Sequence, residues 1–346
     1  MRLRSIGDMV LTTPALAALH AWRPDIRVSV IAEPGCAAVL EGNPAVSQIL
    51  IARDFLATVR DMRRRPFAIA FNQHGGPKSA FLSAASGAPS RVCWEKRQFS
   101  FLYNVHVPEP ASVDGRGMMH TVEHRMSQFY WTGLPAGPIP PAAVYPNPRV
   151  VAAMKQKLAQ HGIEEKQPYA VLRPGAAYFT KRWAVGHFAE IARWLREEYG
   201  IAPVVNLGPG DEVISRMVQE RFARVAVIID QLQLRELIAL LAGARLVVAN
   251  DTGPTHIAAA LGRPCVVIFG SSNSVWWRPW ATQHRVVQND FPCNPCRGDR
   301  CYAFDEPKCI LSVTPEQVHD ACASLLSECG VDRQANQNLT RIEAGN

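Results

Sequence analysis

The chain has 346 residues, of which 48% are hydrophobic and 19% are charged, and its formal net charge at pH 7 is +7. Because a single hydrophobic core rarely grows beyond about 250 to 300 residues, this length predicts two domains, and the composition excludes a disordered chain. No apolar run approaches the roughly 20 residues that a membrane span needs, and the positive charge suits an anionic partner such as nucleic acid, a membrane surface or a phosphorylated substrate.

The first half of the chain alternates short apolar runs with amphipathic segments. Buried strands are predicted at 28–31, 49–51 and 67–71, and helices at 15–22 and 55–63. Such alternation is typical of a parallel sheet with helices on both faces. We therefore expect an α/β domain here.

The same alternation continues after a segment, 135–148, that contains six prolines and has no periodicity, as in an interdomain linker. We therefore predict two Rossmann-like domains, 1–140 and 149–330, whose parallel sheets face a central cleft and bind ligands at the carboxyl ends of the strands. In the second domain the predicted strands are 169–172, 203–207, 225–229, 246–249 and 265–269, and the predicted helices are 187–199, one from about 211, 234–241 and 254–261.

Two nucleotide-binding fingerprints are missing from the sequence. No G-x-G-x-x-G follows a leading strand, and no G-x-x-x-x-G-K-[ST] occurs. This disfavours a nicotinamide-dependent dehydrogenase and a P-loop nucleotidase. A bound nucleotide would therefore contact loops that carry neither of these fingerprints.

The segment Ser5–Pro14 contains Gly7-Asp8, which we expect at the first bend of the chain, after a first strand. A carboxylate there could take a proton from an acceptor hydroxyl. The alternative is that Asp8 is an N-cap.

The segment 173–183 follows a predicted strand and reads RPGAAYFTKRW. Gly175 allows close approach of the backbone to a ligand, Thr180 supplies a hydroxyl, and Lys181 and Arg182 supply cations. Phosphate binding uses this combination. The alternative is a loop with a solvated Lys-Arg pair.

The segment 247–270 contains the turn 250–253, with the sequence Asn-Asp-Thr-Gly, between a predicted strand and a predicted helix. Such a turn directs backbone N–H groups and the helix dipole at an anion such as a pyrophosphate, and Asp251 could accept hydrogen bonds from sugar hydroxyls. The alternative makes Asp251 and Thr252 capping residues and His256 a surface histidine.

The nine cysteines are odd in number and unevenly spread, which indicates a reducing, cytoplasmic setting. Four of them, Cys293, Cys296, Cys301 and Cys309, form a cluster with one C-x-x-C followed by gaps of four and seven residues. This spacing matches no standard zinc site. We expect free thiols or a local structural loop and no metal, with a metal site as the alternative.

Taken together, three segments resemble the family 9 glycosyltransferases, which include the heptosyltransferases of lipopolysaccharide core synthesis. They are Ile6-Gly7-Asp8, the loop ending in Lys181-Arg182-Trp183, and Asn250–Gly253 followed by His256. The resemblance extends over most of the chain and includes Lys78-Ser79 and the stretch 120–125. It implies a GT-B fold, with an ADP-heptose-type donor held by the second domain and the acceptor by the first.

The resemblance also implies a role for each matching residue. Asp8 would be the general base of a single inverting displacement, and Lys181 would bind the donor diphosphate, with no cofactor and no metal. The donor site would further include Thr180, Arg182, Glu212, Asp251, Thr252, Gly253 and His256, and the acceptor site would include Lys78, His120 and Arg125.

The expected acceptor is an anionic glycolipid of the lipopolysaccharide core or lipid A type, and no nucleic acid partner is expected. The protein would be a cytoplasmic monomer with peripheral contact at the inner membrane. Two alternatives remain open from the sequence. One is a nucleotide-sugar epimerase of the same fold, and the other is a non-catalytic binder of sugar nucleotides.

The start of the chain departs from the family pattern. Only Met1–Ser5 precede Ile6, and they make a poor strand, whereas the first strand of a doubly wound sheet is central and apolar. We therefore expect that the native protein carries about five to ten further residues ahead of Met1. The alternative is a truncation that leaves a donor-binding protein with little transferase activity.

Overall fold

The structure is a computed structural model, in which residues 1–110 and 118–333 are described. The chain divides into two compact units. Unit 1 consists of Met1–Asn147, Ala259–Leu261 and Val275–Thr282, and unit 2 consists of Pro148–Ala258, Gly262–Ser274 and Gln283–Asn346.

Unit 1 differs from the predicted first domain in two ways. It extends to Asn147 and includes the proline-rich segment, and it takes in two short segments from late in the chain. The reason for the second difference is packing, because Trp277 and Trp280 lie against a core cluster that contains Leu11, Val122 and Phe129. Sequence periodicity does not reveal such a contact.

Unit 1 contains two small parallel sheets flanked by helices. Strands β1 and β2 form one sheet, and β3, β4 and β5 form the other in that order. The strands are β1 (Ser29–Ala32), β2 (Gln48–Ile51), β3 (Ile69–Phe71), β4 (Ser90–Trp94) and β5 (Val105–Val107), and the helices are α1 (Ile6–Val10), α2 (Thr13–Trp22), α3 (Pro34–Ala37), α4 (Phe55–Arg63), α5 (Pro77–Ala85) and α6 (Thr121–Trp131).

Residues 1–3 lie between the two sheets of unit 1 and bond to both. The Arg2 N–H donates to the Ile31 carbonyl of β1 (3.2 Å), and the Gln73 N–H, just after β3, donates to the Met1 carbonyl (2.9 Å). These residues therefore occupy the place of a central strand. The chain then enters α1, so Gly7-Asp8 lies within a short helix and not at a simple bend.

Unit 2 is built on a six-stranded parallel sheet with the strand order β11-β10-β9-β6-β7-β8. The strands β6, β7, β9 and β10 are buried along their whole length, as expected where helices cover both faces. The strands are β6 (Tyr169–Arg173), β7 (Ala202–Val205), β8 (Val227–Ile228), β9 (Leu246–Asn250), β10 (Cys265–Ile268) and β11 (His284–Val287).

The helices of unit 2 alternate with its strands, as predicted. In the second helix, Phe188, Ile191 and Leu195 are fully buried, and the helix ends at Gly200 in the left-handed conformation. The helices are α7 (Pro148–Gln160), α8 (Val185–Tyr199), α9 (Glu212–Phe222), α10 (Leu234–Ala242), α11 (Gly253–Ala260), α12 (Ser274–Trp277, mostly in unit 1), α13 (Lys308–Leu311) and α14 (Pro315–Glu328).

Across residues 1–110 and 118–333, none of the helices has the length and apolar character that crossing a bilayer requires. Both units are Rossmann-like, with parallel strands and helical connections, as the sequence predicts.

Candidate active site

The strand order of unit 2 places a topological switch point between β6 and β9. From β6 the chain continues through β7 to β8 on one side, and from β9 it continues through β10 to β11 on the other. Ligands of open α/β sheets bind outside the carboxyl ends of the strands at such a point. The two predicted donor loops, after β6 and after β9, therefore start side by side.

A lysine and an aspartate join these two loops. The Lys181 ammonium donates to the Asp251 carboxylate (Nζ to Oδ2, 2.8 Å), and the Ser272 hydroxyl donates to the same oxygen (2.6 Å). The Asp251 side chain is 6% exposed and the Lys181 side chain 24%. The lysine is thus held by the carboxylate but still reaches solvent, where it can meet an anionic ligand.

Asn250, the last residue of β9, connects the same loops behind the ion pair. Its Nδ2 donates to the Pro174 carbonyl (2.8 Å), and its Oδ1 accepts from the Trp183 N–H (3.2 Å). The side chain is fully buried. Asn250 thus fixes the spacing of the loops, a role that its place in a predicted turn does not reveal.

The helix α11 begins beside this ion pair. The first N–H groups of a helix have no acceptor within the helix, so they favour an anion near Gly253. The Thr252 hydroxyl is buried and has no hydrogen-bond partner in the described part of the chain. A buried polar atom of this kind indicates a ligand or water contact. His256, one turn further, is 4% exposed and is not the surface histidine of the alternative interpretation.

Three other predicted donor residues lie at the edges of this site. Thr180 is buried and shares a hydrogen bond with Ser271 (3.0 Å). Arg182 donates to the Ala176 carbonyl (2.7 Å), so it stabilises its own loop. Glu212 is exposed at the start of α9 and accepts from the Gly210 N–H (3.2 Å).

In unit 1, Asp8 lies in α1 and is enclosed by two arginines. Its carboxylate forms ion pairs with Arg2 and Arg125 and accepts a hydrogen bond from the Ser5 hydroxyl (2.9 Å). Burial tends to raise the pKa of Asp8, but the charges of Arg125 and Arg2 outweigh burial and lower this pKa to about 2. Asp8 is therefore fully ionised at neutral pH.

Two residues predicted to contact the acceptor are buried and bond within unit 1. Arg125 has a side chain that is 4% exposed and serves as the partner of Asp8. His120 is 1% exposed, and it caps α6 by accepting the Val122 N–H at Nδ1 (3.1 Å), while its Nε2 meets the Arg278 carbonyl (2.9 Å). Both ring nitrogens therefore bond within unit 1, and a contact between His120 and an acceptor stays a prediction.

Lys78 remains available to an acceptor. Its ammonium pairs with Glu33 (3.0 Å), and the lysine side chain is 39% exposed. It lies in α5, which begins directly after the loop 72–76. A half-exposed cation in this position is compatible with the predicted contact to an anionic acceptor.

All nine cysteines of the chain are free thiols. The four cysteines of the predicted cluster lie close together in the fold. Lining one cavity of about 20 Å³ in unit 2 are Cys293, Cys296, Cys301 and Cys309. Yet in residues 1–110 and 118–333 no group of three or more Cys, His, Asp or Glu side chains is arranged to hold a metal ion. Burial raises the pKa of the Cys309 thiol, which disfavours the thiolate that a metal requires.

Because the spacing of the four cysteines matches no standard zinc site, we expect the purified protein to contain far less than one zinc or iron ion per chain. Elemental analysis of protein purified without chelator tests this, with the double variant C293S/C296S as the control for adventitious metal. Stoichiometric metal that is lost in the control variant would show that the four thiols form a metal site.

Comparison with known proteins identifies the family. The model of glycosyltransferase family 9 (heptosyltransferase) matches residues 55–304. Lipopolysaccharide heptosyltransferase 2 of Salmonella typhimurium is 25% identical over 347 aligned residues, which cover 94% of this chain and 97% of that protein.

Solved structures show the same fold. The ADP-heptose lipopolysaccharide heptosyltransferase II of E. coli superposes with a TM-score of 0.79 at 20% identity, covering 96% of this chain and 100% of that one. The E. coli heptosyltransferase WaaC with ADP-2-deoxy-2-fluoro heptose gives a TM-score of 0.69 at 20% identity, covering 92% of this chain and 96% of that one. The fold class is GT-B, as predicted. Because the family model spans well over half of its length, the chain belongs to glycosyltransferase family 9, the heptosyltransferase family.

Proposed function

We propose that this enzyme transfers a heptose from an ADP-heptose donor to a hydroxyl of a lipopolysaccharide core or lipid A-type acceptor, by a single inverting displacement. The observation that carries the donor assignment is the arrangement in unit 2 at the switch point. There a partly exposed lysine, a buried hydroxyl without a partner in the described chain and the start of a helix lie together. The names of the related E. coli enzymes support the identity of the sugar.

The donor diphosphate is bound by charge and by N–H groups. Lys181 supplies a positive charge, Gly253 begins the helix whose dipole favours an anion, and the Thr252 hydroxyl donates to a phosphate oxygen. Asp251 has one oxygen occupied by Lys181 and Ser272, and its other oxygen accepts a sugar hydroxyl. Glu212, at the exposed edge, is assigned to the nucleoside.

The chemical step forms one bond and breaks one. The acceptor oxygen bonds to the anomeric carbon, the bond from that carbon to the diphosphate oxygen breaks, and ADP departs with its electron pair. Asp8 accepts the proton of the acceptor hydroxyl. Negative charge develops on the diphosphate, and Lys181 and the start of α11 stabilise it in the transition state.

The low pKa of Asp8 bears on when this carboxylate can accept the proton of the acceptor hydroxyl. A carboxylate with a pKa of about 2 is too weak a base to remove a proton from a free hydroxyl. As the acceptor oxygen bonds to the anomeric carbon, however, that oxygen gains positive charge and its proton becomes strongly acidic. We infer that proton transfer to Asp8 is late, and that Arg2 and Arg125 keep the carboxylate ionised and oriented.

The acceptor is anionic in this proposal, and the exposed Lys78 is assigned to it. The net charge of +7 agrees with a phosphorylated glycolipid and with peripheral contact at the cytoplasmic face of the inner membrane. We propose that the enzyme acts there as a monomer.

The activity is tested by mixing the enzyme with ADP-heptose and a de-acylated lipopolysaccharide core acceptor that lacks the heptose. We expect mass spectrometry to show one heptose added, and ADP to appear only when the acceptor is present. Nuclear magnetic resonance should show that the new linkage has the anomeric configuration opposite to the donor. An isomerised sugar nucleotide formed without acceptor would instead identify an epimerase.

A further inference from the structure

The outer surface of α4 combines exposed apolar side chains with arginines. Leu56 is 77% exposed, and Phe55 beside it is also exposed. The segment 53–65 contains five arginines and two aspartates, which gives it a net charge of +3. All five arginines are exposed, namely Arg53, Arg60, Arg63, Arg64 and Arg65.

The helical spacing places Leu56 in line with two of these arginines. Arg60 and Arg63 follow it four and seven residues later, so the three side chains lie on one face of α4. The opposite face holds Thr58 and Met62, which are buried in unit 1. The face that points to solvent is therefore apolar where the helix begins and cationic where it ends.

The helix α5 and the turn 100–102 extend this surface. α5 contacts both α4 and that turn. The Arg63 guanidinium donates to the Ala85 carbonyl at the end of α5 (2.7 Å), which holds the two helices together. Two phenylalanines point outward here, since Phe81 of α5 is exposed and Phe101 of the turn is 77% exposed.

A third phenylalanine links these two rings. The centroid of the Phe99 ring lies 5.4 Å from that of Phe81 and 6.2 Å from that of Phe101. An exposed apolar cluster bordered by charged residues is typical of an interaction surface. We call this surface the Arg–Phe face, and we define it by Arg53, Leu56, Arg60, Phe81 and Phe101.

The charge of the Arg–Phe face disfavours a second copy of this chain as its partner. In a two-fold symmetric dimer the same patch meets itself, so the arginines of one copy would face those of the other. The two aspartates of the segment are already engaged within α4. Asp54 accepts from the Ala57 N–H (2.8 Å), and Asp61 pairs with Arg64 (3.1 Å).

The apolar side chains of the face disfavour nucleic acid. A phosphate backbone would attract the arginines, but the aliphatic side chain of Leu56 can neither donate a hydrogen bond nor stack on a base. A bilayer with anionic headgroups suits both parts of the face. Its headgroups attract the arginines, and the boundary between headgroups and acyl chains accepts leucine and phenylalanine side chains.

The Arg–Phe face extends to the acceptor side of unit 1. Lys78, which we assign to the acceptor, lies three residues before Phe81, so these two side chains are neighbours on α5. Leu56 and Lys78 both lie in the first turns of their helices, which follow β2 and β3 at the carboxyl edge of the strands. α1, which carries Asp8, begins at the same edge after residues 1–3.

We propose that the Arg–Phe face docks on a lipid bilayer that contains anionic headgroups. The arginines contact the headgroups, while Leu56 and Phe101 enter the boundary with the acyl chains. The proposal rests on the proposed function for its purpose, because a lipid-borne acceptor gives docking at this end of unit 1 a role in transfer.

Flotation of the full chain with lipid vesicles tests the proposal. One set of vesicles is phosphatidylcholine alone, and the other contains roughly 30% phosphatidylglycerol, an anionic lipid. We expect the protein to float with the anionic vesicles and not with the neutral ones. Sodium chloride at about 1 M should release most of the bound protein, because salt screens exposed charges.

Two variants remove the two parts of the face. Arg53→Gln/Arg60→Gln should weaken binding to the anionic vesicles by roughly 30-fold, since each cation near such a surface contributes about fivefold. Leu56→Ser/Phe101→Ser should weaken it by at least ~10-fold, because the apolar area that enters the bilayer is lost.

Matched control variants come from exposed positions of unit 2. Arg193→Gln/Arg221→Gln makes the same change in net charge, and Val213→Ser/Met217→Ser removes exposed apolar side chains. Both controls should bind the anionic vesicles within about twofold of the original chain, because they leave the face intact.

Three results would overturn the proposal. The first is that the original chain does not bind anionic vesicles, or that the face variants bind as well as their controls. The second is a loss confined to Arg53→Gln/Arg60→Gln, which would indicate attraction to any polyanion. The third is a dimer without lipid that Leu56→Ser/Phe101→Ser dissociates in sedimentation, which would make the face an interface between copies.

Transfer to the de-acylated core acceptor separates this proposal from the proposed function. That acceptor is soluble, so the face variants should use it at the rate of the original chain. A chain that transfers heptose normally but binds no vesicle contradicts docking alone. Vesicle binding in the expected order by a chain without transferase activity supports docking and contradicts the proposed function alone.

Discussion

Replacing Asp8 by Asn should lower kcat by about 100-fold or more, while the affinity for ADP stays unchanged. The amide cannot accept the proton of the acceptor hydroxyl, and Asp8 belongs to unit 1 whereas the proposed diphosphate site is in unit 2. Steady-state kinetics at saturating donor and acceptor measure kcat, and calorimetry with ADP measures binding. Full turnover in Asp8→Asn would remove Asp8 from the mechanism.

This substitution also disturbs the fold, so it needs a control. Asp8→Asn leaves Arg2 and Arg125 buried without their counter-charge, and breaking a buried ion pair costs about 3 to 5 kcal/mol. The matched variant Arg2→Met breaks one of the same ion pairs but keeps the carboxylate. We expect both variants to melt at lower temperature, and only Asp8→Asn to lose most of its turnover when both are assayed well below their melting midpoints. An equal loss of turnover in Arg2→Met would mean that the ion-pair geometry, and not proton acceptance, limits the rate.

Replacing Lys181 by Ala should weaken ADP binding by roughly 1.5 to 3 kcal/mol, the range for a hydrogen bond to a charged group. The loss has two parts in this structure. The ammonium that we propose meets the diphosphate is removed, and Asp251 is left nearly buried with its charge uncompensated near an anionic ligand. Calorimetry with ADP measures the change.

Two further variants separate these contributions. The double variant Lys181→Ala/Asp251→Asn removes the uncompensated carboxylate, so we expect it to recover part of the ADP affinity. Lys166→Ala removes the same charge from an exposed position of unit 2 and should change ADP affinity by only a few tenths of a kcal/mol. If Lys181→Ala binds ADP as well as Lys166→Ala does, the pair Lys181-Arg182 is merely solvated.

The proximity of the two proposed donor loops was predictable because the signals for both loops are local. A buried strand followed by Gly175, Thr180 and Lys181, and another followed by Asp251 and Thr252, can be read from short windows of sequence. Parallel strands end at the same edge of a sheet, so the residues that follow them are expected together. The contact between Lys181 and Asp251 is consistent with that expectation.

The surroundings of Asp8 were not predictable in the same way. Arg2 and Arg125 are 123 positions apart in the chain, yet both bond to its carboxylate, and nothing in the spacing of either residue indicates it. The same holds for His120, whose capping of α6 follows from its exact place at the helix start. Long-range pairing depends on how helices pack, which local patterns do not encode.

By itself, the sequence of this protein determines the alternation of strands and helices, the two-domain class and the residues that follow each strand, because hydrophobic periodicity and turn chemistry act over a few residues. Only the tertiary structure decided which residues that are distant in the sequence contact one another. It pairs Asp8 with two buried arginines and lets Asn250 connect the loops that follow β6 and β9. These outcomes rest on side chains that are distant in sequence and meet only when whole sheets and helices have packed.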